Sequence, residues 1–180
     1  MTPDKAQFVG SIPAFAEAMA GADVIDIKTV ESEHAMRQFI ARVMSYQPGW
    51  ITLLYRVRGV FVRLFGMRQR RVPRPAATGP DDVPMKPGDP AYFFRVVAAE
   101  EDHYWLAGID DSHLNAHLGA VVEPLAGSRR RYYVVTLVHY NNWHGRVYFN
   151  VIRPFHHLVV RAMMRHAAKV EPTPRAGAAV

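Results

Sequence analysis

The feature that most constrains the fold is a succession of five runs of aromatic and β-branched residues in the second half of the chain. Such runs are typical of β-strands. Connections of only a few residues between them predict an antiparallel sheet, because a parallel pair needs a much longer crossover. One earlier strand is indicated where β-branched residues mix with alternating acids. The predicted strands are residues 22–30, 91–98, 103–109, 113–122, 131–140 and 146–152.

Helical periodicity is found between the first strand and the others. Ser32 is expected to cap a helix that ends near Met44, and a second helix runs to about Phe65 after the break at Pro48. The second helix has an apolar stripe that begins at Trp50 and arginines on the opposite side. Because arginines interrupt it every few residues, this helix cannot span a membrane.

The C-terminal region is predicted to form a turn at residues 141–145, the last strand, and then a long helix. Pro154 would lie just inside the start of this helix, where proline is favoured, and the helix would end near Lys169. The fold class that follows is α+β with a helix-grip architecture, in which a curved antiparallel sheet wraps around the C-terminal helix. Two helices are inserted after the first strand. Such a fold often leaves an elongated apolar cavity between sheet and helix.

A chain of 180 residues is long enough for one domain with its own core. The expected organisation is an N-terminal extension with a short helix at residues 1–21, a single helix-grip domain at 22–170 and a disordered tail at 171–180. Within the domain, the proline-rich stretch 67–90 is predicted to be a long loop, which serves as a lid or a binding loop or is disordered.

The N-terminal residues lack the pattern of an export signal. Pro13 and Glu17 interrupt the apolar run, and the start is not cationic. A short helix with Ser11 as its N-cap and Gly21 just past its end is the expected structure. The protein is therefore expected to be cytoplasmic.

The chain has a formal net charge of +6 and no cysteine. The absence of cysteine excludes disulfides, thiolate nucleophiles and cysteine-based metal sites. The positive charge permits anionic partners, and arginines are concentrated between Arg56 and Arg74 and again after His157. Solvated helix faces explain both groups, so there is no strong case for nucleic acid, whereas peripheral contact with a membrane is left open.

Four of the nine histidines fall within nineteen residues near the C-terminus. His139 is predicted within a strand, His144 in a turn and His156 at the edge of the apolar face of the last helix, which disfavours a shared zinc ion. His113 and His117 would lie about 13 Å apart on one strand, too far for joint ligation. No metal and no cofactor is expected, since phosphate-binding and dinucleotide motifs are also missing from the sequence.

Several short segments form a recognisable pattern. They are Ala22-Asp23-Val24-Ile25-Asp26, Pro48-x-Trp50-x-x-x-Leu54-x-x-x-Arg58, Gly108-x-Asp110-Asp111-x-His113-Leu114, His139-x-Asn141-Asn142 with Gly145-Arg146-x-Tyr148, and Pro154-Phe155-His156. Together they resemble the bacterial domain-of-unknown-function family 2867 over roughly residues 22–169. The resemblance implies a helix-grip fold of the kind shared with lipid-transfer and polyketide-cyclase-like (START-like) domains, and no established activity.

The resemblance also indicates which residues to follow in the structure. These are Asp23, Asp26, Trp50, Arg58, Asp111, His113, Asn142, Arg146, Tyr148 and His156. The sequence departs from the family pattern at Asn115 and His117, where an acid and an arginine are expected.

The leading interpretation is a binding module that holds a small hydrophobic or amphipathic molecule between the sheet and the C-terminal helix. Arg58 and Arg95 are candidate contacts for an anionic head group, because each interrupts an apolar row and arginine binds such groups in a bidentate way. Trp105, Tyr148 and His156 are candidate lining residues.

Two other classes of function stay open. An enzyme on the same scaffold, such as a cyclase, dehydratase or hydrolase of a polyketide- or lipid-like substrate, would use His156 or His139 as general base. Arg58 or Tyr148 would then stabilise developing negative charge. The remaining class is peripheral association with a membrane or nucleic acid through the arginine-rich second helix. The sequence specifies neither the ligand nor the oligomeric state.

Overall fold

The computed structural model describes residues 4–51, 53–54 and 79–169. Within these residues, six strands form one antiparallel sheet in the order β1-β6-β5-β4-β3-β2. The strands are β1 (Val24–Ser32), β2 (Pro90–Ala91), β3 (Phe94–Glu100), β4 (Tyr104–Asp110), β5 (Leu114–Pro124) and β6 (Arg130–Tyr140). The predicted antiparallel meander is confirmed for β2 to β6, and β1 joins it by pairing with the last strand.

Helices precede β1, follow it, and come again after the last strand. They are α1 (Lys5–Gly10), α2 (Pro13–Met19), α3 (Met36–Ser45) and the C-terminal helix (Trp143–Ala168), and residues 49–51 and 53–54 are also helical. A short 3-10 turn is formed by Pro80–Asp82. The α+β helix-grip fold is therefore confirmed, with two helical segments after β1. In the described part of the chain, no helix has the length and apolarity needed to cross a membrane.

The two faces of the sheet are covered by different helices. Because side chains alternate along a strand, neighbours in β6 contribute to different cores. Tyr132 packs with α3 and the C-terminal helix, and its ring stacks on that of Phe39 at 3.9 Å. Tyr133 packs with α1 and α2 on the opposite face. There Phe15 covers Gly119 so closely that a Cβ on the glycine would come within 2.6 Å of the ring.

The predicted strand at residues 146–152 is wrong, because this segment belongs to the C-terminal helix. Asn142 starts the helix as its N-cap, and its side-chain oxygen accepts a hydrogen bond from the backbone N–H of Gly145. The aromatic run that favours a strand also fits a helix, since Tyr148, Phe149 and Ile152 share one face and pack together against the sheet.

The predicted helix start at Pro154 is wrong for the same reason. Pro154 lies inside the C-terminal helix, on its exposed side. A proline there removes one backbone hydrogen bond, to the carbonyl of residue 150. Asn150 is exposed as well, so water can satisfy that carbonyl.

Two predicted helix caps are also wrong. Ser32 ends β1, and α3 begins after Ala35 instead. Asp102 lies in the turn between β3 and β4, and its carboxylate accepts a hydrogen bond from the Met36 N–H at 3.1 Å. The start of α3 is therefore capped by a residue that is distant in the sequence. Ser11 ends α1 rather than starting a helix, because its hydroxyl donates back to the Phe8 carbonyl.

Other boundaries differ in smaller ways. The predicted strand 91–98 is a tight hairpin of β2 and β3, with Tyr92 at a φ of 65° between them. Gly21 lies just past α2 with a φ of 69°, as predicted for a residue that ends a helix. Most of the predicted second helix, the loop up to residue 78 and the tail from residue 170 lie outside the described residues.

Candidate functional site

A cavity of about 570 Å³ lies between the sheet, α3 and the C-terminal helix. This volume is typical of sites for small organic molecules. The wall is mainly apolar, and its members from the sheet include Trp105, Ala116, Leu118, Val134 and Val138. The opposite wall includes Val43, Met44, Ile51, Leu54, Tyr148, Ile152, Phe155, Val159 and Met163.

The cavity exists because the C-terminal helix is in close contact with its surroundings at both ends. At its start, Gly145 lies so close to the sheet that a Cβ would come within 2.0 Å of the His113 carbonyl oxygen. At its end, Met164 and Ala167 are buried in the core formed with α3. Between these ends, small residues such as Ala116 face the helix and leave space.

One group of polar side chains on the cavity wall is formed by Asp111, His113 and Tyr148. The Nδ1 atom of His113 is 3.5 Å from the Oδ1 atom of Asp111. The rings of His113 and Tyr148 meet edge to face with their centres 5.1 Å apart, and both side chains are buried. The Asp111 carboxylate also accepts a hydrogen bond from the Ser112 N–H at 2.7 Å, which fixes its position. A histidine, an acid and a phenol therefore meet in this cavity.

A second polar group connects β1, β6 and the C-terminal helix. Lys28 pairs with the carboxylate of Asp26, and its Nζ atom lies 3.0 Å from the Nδ1 atom of His157. That same Nδ1 atom is 3.2 Å from Asp26. Beside this charged group, the Nε2 atom of His156 is 3.3 Å from the Thr136 hydroxyl, and both residues line the cavity.

Burial and charge determine the protonation states of this second group. Burial alone would raise the pKa of Asp26, but the hydrogen bond and the positive charge of Lys28 outweigh it and lower that pKa. Burial lowers the pKa of His156 to about 4; the carboxylate of Asp26 acts in the opposite direction, and the charge of Lys28 lowers the pKa further. At neutral pH the His156 imidazole on the cavity wall is therefore neutral, and it can form hydrogen bonds to a ligand without adding charge.

Of the five residues predicted to contact a ligand, three lie on the cavity wall, one lies outside the cavity and one falls outside the described residues. Trp105, Tyr148 and His156 lie on the cavity wall, and the indole N–H of Trp105 donates to the Pro84 carbonyl at 2.9 Å. Arg95 is exposed and donates to the Gly88 carbonyl at 3.0 Å, so it lies outside this cavity. Arg58 falls outside the described residues.

The histidines considered as a zinc site lie in three different places. His139 is on the sheet face that carries α2, where its Nε2 atom is 2.9 Å from the Ala18 carbonyl oxygen. His144 is exposed and stacks on Trp143, while His156 faces the cavity. Among the residues that the structure describes, no group of three or more histidine or acidic side chains is arranged to hold a metal ion.

Some of the residues singled out by the family pattern hold the fold together rather than face the cavity. Asp23 accepts a hydrogen bond from the Tyr140 N–H at 2.8 Å, and it lies 3.9 Å from the exposed Arg146. Asn142 caps the C-terminal helix and also donates to the Ser112 carbonyl at 3.0 Å. Asn115, where the sequence departs from the pattern, accepts a hydrogen bond from an asparagine side chain at 2.9 Å.

Lys28 and Thr136 are the site residues that sequence reasoning missed. A signal was present in β1, where Asp26 and Lys28 alternate with apolar residues and so share one face. That face is the one occupied by the buried Val24, and charges there need partners from another element. The position of Thr136 follows only from the pairing of β1 with β6, which places it directly opposite Asp26.

The fold and the cavity together define a helix-grip protein with a mainly apolar cavity, whose wall carries polar side chains at two places. Comparison with known families agrees with the resemblance seen in the sequence. Residues 18–163 match the family described as "Protein of unknown function (DUF2867)", and the chain belongs to that family. No significant match was found among the curated proteins or among the solved structures.

Proposed function

We propose that this protein binds a small hydrophobic or amphipathic molecule in the cavity between the sheet and the C-terminal helix. The observation that carries the proposal is the cavity itself, about 570 Å³ of space with a mainly apolar wall. Protein interiors contain few voids larger than a water molecule, so an unfilled space of this size is unusual for a core. An apolar ligand that displaces water from an apolar wall lowers the free energy of the complex.

The polar groups on the wall indicate how the ligand is oriented. The His156–Thr136 pair and the Asp111–His113–Tyr148 group can each bind a hydroxyl or carbonyl group of the ligand. Among the described wall residues there is no lysine or arginine. An uncharged polar group is therefore favoured over the anionic head group expected from the sequence, for which Arg58 stays the candidate.

Filling the cavity tests this proposal. Ala116→Trp places a large side chain in the cavity, whereas Ala126→Trp makes the same change at an exposed turn and serves as the control. Native mass spectrometry of gently purified protein and uptake of the fluorescent probe N-phenyl-1-naphthylamine are the readouts. We expect the wild type and Ala126→Trp to bind the probe, and Ala116→Trp to lose at least tenfold in affinity, because the added ring occupies the binding volume.

The fold of each variant is checked by circular dichroism, since overpacking itself costs about 1–3 kcal/mol. The proposal is wrong if the wild-type protein has a clean apo mass and takes up neither the probe nor dodecanoic acid. It is equally wrong if a folded Ala116→Trp variant binds the probe as tightly as the wild type.

An enzyme on the same scaffold is the second candidate, and one observation favours it. His113 lies on the cavity wall between Asp111 and Tyr148, an arrangement in which a positioned imidazole can remove a proton from a ligand and a phenol can stabilise the resulting oxyanion. In this second proposal the general base is His113, instead of His156 or His139, the candidates from the sequence. Arg58 cannot be assigned a part, because it lies outside the described residues.

Proton abstraction can be measured without the natural substrate. Exchange of the α-hydrogens of 2-tetralone in deuterium oxide is followed by NMR. We expect acceleration by the wild type, a loss of about 100-fold or more in His113→Gln, and no change in His139→Gln, whose histidine faces the opposite side of the sheet. Equal exchange rates with and without the wild-type protein would remove this candidate.

Association through the arginine-rich second helix stays a prediction, since most of that helix lies outside the described residues. The relationship to START-like domains, the bacterial origin and the cytoplasmic location also stay predictions.

A further inference from the structure

The C-terminal helix exposes a continuous apolar stripe to solvent. It consists of five large side chains, Trp143, Val147, Val151, Phe155 and Leu158, whose exposed fractions run from 40% at Val147 to 66% at Trp143. Their spacing of three or four residues places them on one side of the helix over roughly four turns. Scattered exposed apolar residues are ordinary, whereas a contiguous stripe of this length is typical of a surface that contacts an apolar partner.

The charge of the same helix is entirely positive. Arg146, Arg153, Arg161 and Arg165 are all exposed, and residues 143–168 contain no aspartate or glutamate. Arg146 and Arg153 lie along one side of the stripe, and Arg161 and Arg165 continue its line beyond Leu158. An apolar face bordered by arginines fits a partner that is apolar inside and anionic at its surface.

The stripe is continuous with the mouth of the cavity. Val151 and Phe155 are exposed on the stripe and at the same time line the cavity. Across the cavity, Leu54 lines the wall while its neighbour Leu53 is 60% exposed. A surface placed against the stripe therefore lies next to the opening through which an apolar molecule reaches the cavity.

We propose that the exposed face of the C-terminal helix docks on an anionic lipid surface, with the helix lying in the plane of the interface. Trp143, Phe155 and Leu158 enter the boundary between head groups and acyl chains, and the arginines contact anionic head groups. A second copy of the chain is a poorer occupant, because two copies of this helix packed through the stripe would also bring arginines close to arginines, with no acidic residue on either helix to pair with them. Docking on the lipid surface does not depend on the proposed ligand binding. Only the role proposed for docking, which is loading the cavity from the lipid phase, rests on the proposed function.

Vesicle co-sedimentation tests the docking. The probes are 100-nm vesicles of phosphatidylcholine alone and of phosphatidylcholine mixed equally with phosphatidylglycerol. We expect the wild type to bind the anionic vesicles at least tenfold more tightly than the neutral ones, and to lose affinity as salt is raised. Leu158→Asp should weaken binding to anionic vesicles at least tenfold, because it removes an apolar group from the interface and adds a negative charge.

Val97→Asp is the matched control, since Val97 is 44% exposed on β3, away from the stripe. It should bind anionic vesicles like the wild type. Leu158 is not part of the cavity wall, so Leu158→Asp should also keep the uptake of N-phenyl-1-naphthylamine from solution. Loss of docking and loss of ligand binding are therefore distinguished by two separate readouts on one variant.

Three results would overturn the proposal. The first is that the wild type does not bind anionic vesicles, or binds neutral ones equally well. The second is that Leu158→Asp binds as the wild type does. The third is a concentration-dependent dimer in sedimentation velocity that Leu158→Asp dissociates while vesicle binding is absent, which would assign the stripe to a second copy of the chain.

Discussion

The buried imidazole of His156 predicts a specific dependence of stability on pH. Its pKa is about 4 in the folded protein, against an ordinary value of 6.5. Between these values the unfolded chain binds a proton at this position and the folded protein does not. The stability that the neutral His156 contributes is therefore fully present above pH 6.5 and is lost as the pH falls toward 4. From the difference between the two pKa values, the free energy of unfolding should fall by about 2 kcal/mol by pH 5 and by about 3 kcal/mol by pH 4.

Urea denaturation of the wild type and of His156→Gln, at half-unit steps from pH 7.5 to 4, measures this contribution. Glutamine keeps a hydrogen-bonding group near Thr136 and does not titrate, so the variant should lack this part of the pH dependence while other groups titrate as before. Asp26 does not interfere, because its pKa lies below 3.8 and its contribution is lost only under more acidic conditions.

The control for this experiment is His144→Gln, which removes an exposed histidine from the first turn of the same helix. It should retain the full loss of stability seen in the wild type. If the free energies of unfolding of the wild type and His156→Gln fall in parallel between pH 6.5 and 4, His156 is not held neutral by burial. The description of this part of the cavity would then be wrong.

Two further substitutions test the packing that positions the cavity. Gly145→Ala should lower the free energy of unfolding by more than about 2 kcal/mol in urea denaturation, because its Cβ would lie 2.0 Å from the backbone oxygen of His113. Gly49→Ala is the control and should not have this effect, because a Cβ at Gly49 would have no atom within 4 Å. Phe15→Ala should cost about 3–5 kcal/mol in the same measurement, because Phe15 is fully buried over Gly119; a cost under about 1 kcal/mol would mean that the N-terminal helices contribute little to the fold.

The sequence predicted the sheet well because its strands alternate and are separated by short turns. It failed at residues 146–152, where aromatic and β-branched residues satisfy both a strand and the buried face of a helix. The deciding signal is Asn142, a strong N-cap residue three positions before Gly145, although the same residues are also typical of a turn. The cap of α3 could not be predicted locally, because Asp102 provides it from a turn distant in the sequence.

The site was less predictable than the fold, because its polar groups meet only through pairing of distant strands. Asp26 and Thr136 are 110 positions apart in the sequence and directly opposite in the register of β1 and β6. That register brings the charged pair of Asp26 and Lys28 beneath the C-terminal helix, next to His156. The histidine there is held neutral because burial disfavours its charged form more strongly than the carboxylate of Asp26 favours it, and Lys28 offsets part of the effect of Asp26. Burial therefore keeps this part of the cavity wall uncharged even beside a charged pair, which suits a chamber for an apolar ligand with a neutral polar group.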